Sequence, residues 1–142
     1  MPGSSELTVG ATDAEVRRAS EWLEAACRGE GVPPAQVERL VLCLNEALGN
    51  VVDHGGGPSL PIVVRLAVSA DPGGSEAAVT VSDACPAFDP LSVPKRRRPA
   101  SLDDATTSGM GLEILRRCSD LLRYRHEGGR NHLTFGARWK RP

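Results

Sequence analysis

The sequence predicts a two-layer α/β sandwich of the α+β kind, with one mixed or antiparallel sheet and helices on one of its faces. Three observations predict it. After a short opening strand, the elements read helix, helix, strand, strand, long loop, helix, strand, strand. The strands come in pairs joined by turns too short for the dozen or so residues that a parallel crossover needs. Each helical segment carries one apolar stripe, and such stripes bury themselves against a single sheet face. At 142 residues, the chain 1–142 is read as one domain, able to build a core without disulfides or metals.

Residues 5–10 form a short edge strand. Thr12 or Asp13 caps a first helix, and Glu15 follows Thr12 at the spacing of a capping box. That helix runs to about Cys27, with Val16, Ala19, Trp22, Leu23 and Ala26 as its stripe, and Gly29 and Gly31 end it. Pro33-Pro34 open a second helix over about 34–53, in which Val37, Leu40, Val41, Leu44, Leu48 and Val51 recur at three- and four-residue steps. Gly55-Gly56-Gly57-Pro58 stop it. Residues 61–69 and 76–83 pair as a hairpin across the turn Asp71-Pro72-Gly73-Gly74. A long irregular segment, 84–108, contains four prolines and the basic run Lys95-Arg96-Arg97-Arg98. Loops of that length inside a compact domain usually serve function. A third helix covers about 109–119, and strands 121–126 and 131–139 close the chain as a hairpin across Gly128-Gly129.

Composition excludes several functions. A formal net charge of −1 supplies no field for nucleic acid or anionic lipid, and 4% aromatic residues leave little for base-stacking platforms. No run approaches the roughly 18 apolar residues of a membrane span. The start, Met-Pro-Gly-Ser-Ser, lacks the basic and apolar regions of a signal peptide. The four cysteines, Cys27, Cys43, Cys85 and Cys118, form no CxxC or Cys/His cluster, so free thiols in a cytoplasmic protein are expected.

Three segments carry chemistry. In Asn45-Glu46-Ala47-Leu48-Gly49-Asn50, a carboxylate and an amide stand one turn apart, and Glu46, Asn50 and Asp53 fall on a strip beside the apolar face. Such a pair can orient a proton transfer and hold a divalent metal, although two solvated helix-surface residues would look the same alone. The second segment, Asp83-Ala84-Cys85-Pro86-Ala87-Phe88-Asp89-Pro90, begins where a strand ends, which also suits an Asp that only starts a turn. The third, Ser108-Gly109-Met110-Gly111-Leu112, opens a helix directly after the long loop, where unpaired N–H groups favour phosphate. His54 follows Asn50 by four residues, and either a place near phosphates or a plain helix-end histidine fits it.

Together these segments resemble the GHKL ATP-binding fold of gyrase, Hsp90, histidine kinases and MutL, and most of all the bacterial anti-sigma factor serine/threonine kinases. The resemblance spans about residues 5–139, and the tail Arg130-Asn131-His132-Leu133-Thr134 fits its final strand. It implies ATP and Mg²⁺ as cofactors. Asn50 would be the direct Mg²⁺ ligand and Glu46 the catalytic base. Asp83 would read the adenine amino group, and Gly109, Met110, Gly111 and Leu112 would cradle phosphate. Cys85, Phe88 and Thr134 would complete the nucleotide site, and residues 84–108 would be the ATP lid. Cys85 departs from the pattern, which has glycine there so that base and backbone approach closely.

The resemblance further implies a homodimer with two partners: a sigma factor held inactive, and a small anti-anti-sigma protein of the STAS type whose serine or threonine receives the phosphate. No direct nucleic-acid or membrane contact is expected. The alternative is a binding module that kept the fold and lost transfer. Cys85 favours it and the Glu46/Asn50 pair opposes it. A split histidine kinase is a third reading, disfavoured because no helix bears a phosphoacceptor histidine.

Overall fold

The computed structural model describes residues 3–54, 61–87, 89–92 and 110–140. Among them are five strands and three α-helices: β1 (Gly3–Val9), α1 (Asp13–Gly29), α2 (Pro34–His54), β2 (Ile62–Asp71), β3 (Gly74–Asp83), α3 (Met110–Cys118), β4 (Leu121–Glu127) and β5 (Arg130–Trp139). A 3₁₀ turn, Pro90–Ser92, lies inside the stretch expected to be wholly irregular. Its start is capped by Asp89, whose Oδ1 accepts from the Leu91 amide at 2.8 Å.

Local chemistry explains the element ends. The Thr12 side chain accepts from the Glu15 amide at 3.2 Å, as a capping residue should. The Glu15 carboxylate accepts from the Gly10 amide, so the reciprocal half of the box reaches past the cap. At the far end, Gly31 takes φ +78° and lets the Val32 amide donate to the Cys27 carbonyl at 3.0 Å, a Schellman closure. Pro34 sits at the first position of α2, where its missing N–H costs nothing. Gly128 and Gly129 both take positive φ, 63° and 73°, the requirement of a two-residue turn that matches strand twist.

The sheet is antiparallel throughout, in the order β1-β2-β3-β5-β4. The β2–β3 hairpin reaches further than expected. The Asp71–Gly74 pair belongs to the β2–β3 ladder, so the turn shrinks to Pro72 and Gly73. Asp71 Oδ1 accepts from the Gly73 amide at 2.7 Å, a local bond that sets the turn. The helices cover one face. Ala19, Leu23, Leu40, Leu44, Leu48, Val64, Leu66, Val79, Leu115 and Phe135 are almost completely buried between the layers. Each such leucine contributes roughly 1.5–3 kcal/mol of burial. Trp22 and Trp139 pack against this core.

Helix α2 is the hub, in contact with α1, α3, β3 and β5. Ser20 Oγ lies 2.8 Å from Asn45 Oδ1, which ties α1 to α2. Arg39 Nε donates to the Cys118 carbonyl at 3.0 Å and pairs with Asp120, which ties α2 to the end of α3. The chain is thus braced on both sides of the segment that carries Glu46 and Asn50.

Candidate functional site

Two rungs at one end of the sheet set the site. Val9, Ile62, Asp83, Asn131 and His126 stand side by side across all five strands, and the next rung facing the same way is Leu7, Val64, Val81, Leu133 and Tyr124. Alternation turns both rungs toward the helical layer. Opposite them, α2 presents Ala47, Asn50 and Val51, three residues that share one helical face. Between them lies a small, half-open cleft, bounded further by Cys85, Pro86 and Pro90. Its walls are mostly apolar, with Asn50, Asp83 and Asn131 as polar points. A flat, mostly apolar body with a few hydrogen-bonding edges fits such a space.

Asp83 is buried, yet its carboxylate is well supplied with donors. Its Oδ1 accepts from the Cys85 amide at 2.9 Å and from Asn131 Nδ2 at 3.0 Å. Among the described residues, no hydrogen bond reaches its other oxygen. A purine amino group could approach there as donor.

Glu46 and Asn50 stand one turn apart on α2, Asn50 in the cleft wall and Glu46 half-buried beside it. Burial holds the Glu46 carboxyl above the ordinary carboxylate range. A base intended to take a proton gains from that direction of shift. Asn45, by contrast, serves the α1–α2 contact and not the cleft. Asp53 is exposed, at the open end of the same strip.

The sequence-derived residues therefore separate into groups. Asn50, Asp83 and Cys85 meet in one cleft, and Glu46 lies outside its lining, one helical turn from Asn50. Cys85 is buried in the wall, where the resemblance leads one to expect glycine. Met110, Gly111 and Leu112 form the first turn of α3, and Leu112 is half-buried there. Phe88, Gly109 and the basic run 95–98 lie outside the described residues.

Thr134 requires a correction. It sits on the opposite face of the sheet, where its hydroxyl is 2.9 Å from that of Thr80. The cause is strand parity: Asn131 and Leu133 point to the cleft, so Thr134 points away. The residue that faces Asp83 is Asn131. Sequence reasoning placed Asn131 in the final strand but gave it no role. The signal was available, because Asn131-x-Leu133-x-Phe135-x-Ala137 is an apolar alternation whose first member is polar. Tyr124, also in the cleft wall, was likewise overlooked.

Asn50 is the candidate metal ligand. Among the described residues, no group of three or more His, Cys, Asp or Glu side chains could hold a metal ion. An amide oxygen alone suits a hard cation that keeps several waters and shares phosphate oxygens, which is the habit of Mg²⁺. The single amide donor fits a magnesium ion carried in by nucleotide.

The histidine kinase-like ATPase domain model matches residues 9–136. The chain belongs to the histidine kinase-like ATPase domain family. The serine/threonine-protein kinase BtrW of Bordetella bronchiseptica is 35% identical over 133 residues, covering 92% of this chain and 89% of that one. Among solved structures, the RsbU and RsbW domains of Rv1364c from Mycobacterium tuberculosis superpose with a TM-score of 0.63 at 17% identity. That match covers 99% of this chain and 33% of the other, so this chain spans about a third of that structure's length. SiaB-SiaC of Pseudomonas aeruginosa gives a TM-score of 0.55 at 13% identity, over 95% of this chain and 89% of that one. These two structural likenesses establish the fold alone: a GHKL-type α+β domain with a five-stranded antiparallel sheet and three helices. No helix among the described residues is long and apolar enough to cross a membrane.

Proposed function

We propose that this protein is an ATP-dependent serine/threonine protein kinase that acts as an anti-sigma factor. It phosphorylates a small STAS-type anti-anti-sigma protein and sequesters a sigma factor, in the cytoplasm and as a homodimer. The observation that carries the reading is the meeting of Asn50 and Asp83 across one mostly apolar cleft, with Glu46 one helical turn from Asn50. The 35% identity to a serine/threonine-protein kinase supports the reaction type.

Each residue has a share in the proposed transfer. Asp83 receives the adenine amino group on its cleft-facing oxygen. The apolar walls from Val51, Val81, Leu133 and Tyr124 exclude water from the base. Asn50 would hold Mg²⁺ together with the phosphates, and the ion would supply charge neutralisation at the transferred group. Glu46 takes the proton of the incoming serine or threonine hydroxyl, a step worth roughly 10²–10⁴-fold in rate. The first turn of α3, Met110-Gly111-Leu112, would supply helix N-terminal amides to phosphate.

A second reading, a binding module without transfer, is favoured by one observation. The buried Cys85 side chain occupies cleft wall that glycine would leave open. One experiment separates the two. The protein is incubated with γ-labelled Mg-ATP and a candidate anti-anti-sigma protein, and label on the partner is measured. The kinase reading expects transfer by wild type and its near-complete loss in Glu46→Gln. Absence of wild-type transfer, with partner binding intact, selects the module.

A further inference from the structure

Asn131 uses both ends of its amide at the cleft floor. The side chain is 6% exposed and stands directly across the β3–β5 ladder from Asp83. Its Nδ2 donates to Asp83 Oδ1 at 3.0 Å, to the Cys85 carbonyl at 3.1 Å and to the Pro86 carbonyl at 3.1 Å. Two N–H groups thus serve three acceptors, so at least one bond is shared. The Tyr124 hydroxyl donates to Asn131 Oδ1. The three acceptors around Nδ2 fix which end of the amide is nitrogen, and the Tyr124 hydroxyl holds the oxygen end in place.

We propose that Asn131 is a positioning residue for nucleotide specificity, because its amide, oriented by Tyr124, locks the Asp83 carboxylate and the Cys85–Pro86 backbone into the arrangement that reads the base. The inference rests on the ATP reading above. With Oδ1 of Asp83 held by the Cys85 amide and by Asn131, the carboxylate cannot rotate without breaking two bonds. Its second oxygen is then fixed toward the cleft. The same amide pins the chain as it leaves β3, which sets how deeply Cys85 and Pro86 enter the nucleotide space. Tyr124 contributes twice, as cleft wall and as the donor that orients the amide.

Asn131→Asp gives the sharpest test, because size is kept and the donor is removed. A second carboxylate would then face the Asp83 carboxylate and two carbonyl oxygens. Like charges at that separation share a proton when the pH falls, and the shared proton restores a donor between them. Binding of Mg-ATP and Mg-GTP is measured by calorimetry over a pH series that descends from slightly alkaline into mildly acidic buffer. At the upper end the variant should bind Mg-ATP at least ~10-fold more weakly than wild type and lose its preference over Mg-GTP. Affinity should return as the pH is lowered, while wild type shows no such recovery.

Tyr124→Phe keeps the ring and removes only the orienting hydroxyl. It should weaken Mg-ATP by about 3- to 10-fold, the worth of one neutral hydrogen bond, with the ATP/GTP ratio falling alongside. If Asn131→Asp does not fold, this variant decides alone. Wild-type affinity and selectivity in either folded variant, or a loss in Asn131→Asp that does not recover at low pH, overturns the proposal while wild-type ATP binding keeps the kinase reading alive. Failure of wild type itself to bind Mg-ATP removes the kinase reading, and the positioning role falls with it.

Discussion

Replacing Asp83 by asparagine changes one atom of the cleft floor and should change which nucleotide binds. In the native chain, Oδ1 accepts from the Cys85 amide at 2.9 Å and from Asn131 Nδ2 at 3.0 Å. An asparagine carbonyl oxygen can take both bonds, so the local structure survives, with charge-assisted bonds exchanged for neutral ones. The amide nitrogen then occupies the position of the cleft-facing oxygen. Adenine would meet it with its own amino group, donor against donor. Losing a hydrogen bond to a charged group costs about 1.5–3 kcal/mol, or roughly 10- to 150-fold in affinity. Guanine carries a carbonyl oxygen at the same ring position and would gain a donor. Titration calorimetry with Mg-ATP and Mg-GTP, run beside thermal unfolding, reads both effects. Asp83→Asn should bind Mg-ATP at least ~10-fold more weakly, with the Tm lowered only slightly. ATP affinity within twofold of wild type would leave Asp83 as a turn-forming residue only and refute the reasoning.

Four further outcomes are expected. Glu46→Gln should lower phosphoryl transfer by roughly 10²–10⁴-fold with nucleotide affinity little changed, read by transfer assay and calorimetry together. The same variant tests linkage. Burial raises the Glu46 carboxyl, so its contribution to stability is full below the unfolded-state value and is lost as pH rises through the folded one; Glu46→Gln should therefore melt above wild type at neutral pH, and the gap should close in acid. A Cβ on Gly49 meets nothing within 4 Å, so Gly49→Ala should stabilise α2 by roughly 0.5–1 kcal/mol in urea titration; destabilisation would mean that the open space is not there. Burial pushes the Cys43 thiol up to about 12 and the Cys27 thiol up to about 11, whereas Cys118 is partly exposed. Iodoacetamide on the folded protein should therefore modify Cys118 ahead of either, as mapped by mass spectrometry.

Much of this fold was legible because local and tertiary signals agree. The stripe of α2, the capping Thr12, the glycine pair at 128–129 and the alternation of β2 and β3 each have one good structural solution. The site was legible where the chain is helical: Glu46 and Asn50 share a strip because the helix has a fixed period. It was less legible on the strands. A single step of parity sends Thr134 to the far face and brings Asn131 to Asp83, and β3–β5 register sets that pairing from 48 residues away. The reach of β3 back to Gly74 was also hidden, since Pro72 and Gly73 alone suffice for the turn when Asp71 bonds the Gly73 amide. Nothing in the sequence could reveal the Tyr124–Asn131 bond, because it joins two strands through side chains that a hairpin aligns only after folding.

The most direct measurement is the melting temperature of the purified wild-type protein against rising Mg-ATP, with Mg-GTP as the control. A ligand held only by the folded chain adds RT ln(1 + [L]/Kd), about 2.7 kcal/mol at a hundredfold excess over Kd, or roughly 6–10 °C for a domain of this size. Mg-ATP should produce a saturating rise of that order and Mg-GTP little or none. A Tm that stays put at millimolar Mg-ATP would contradict the assignment of this cleft to an adenine nucleotide.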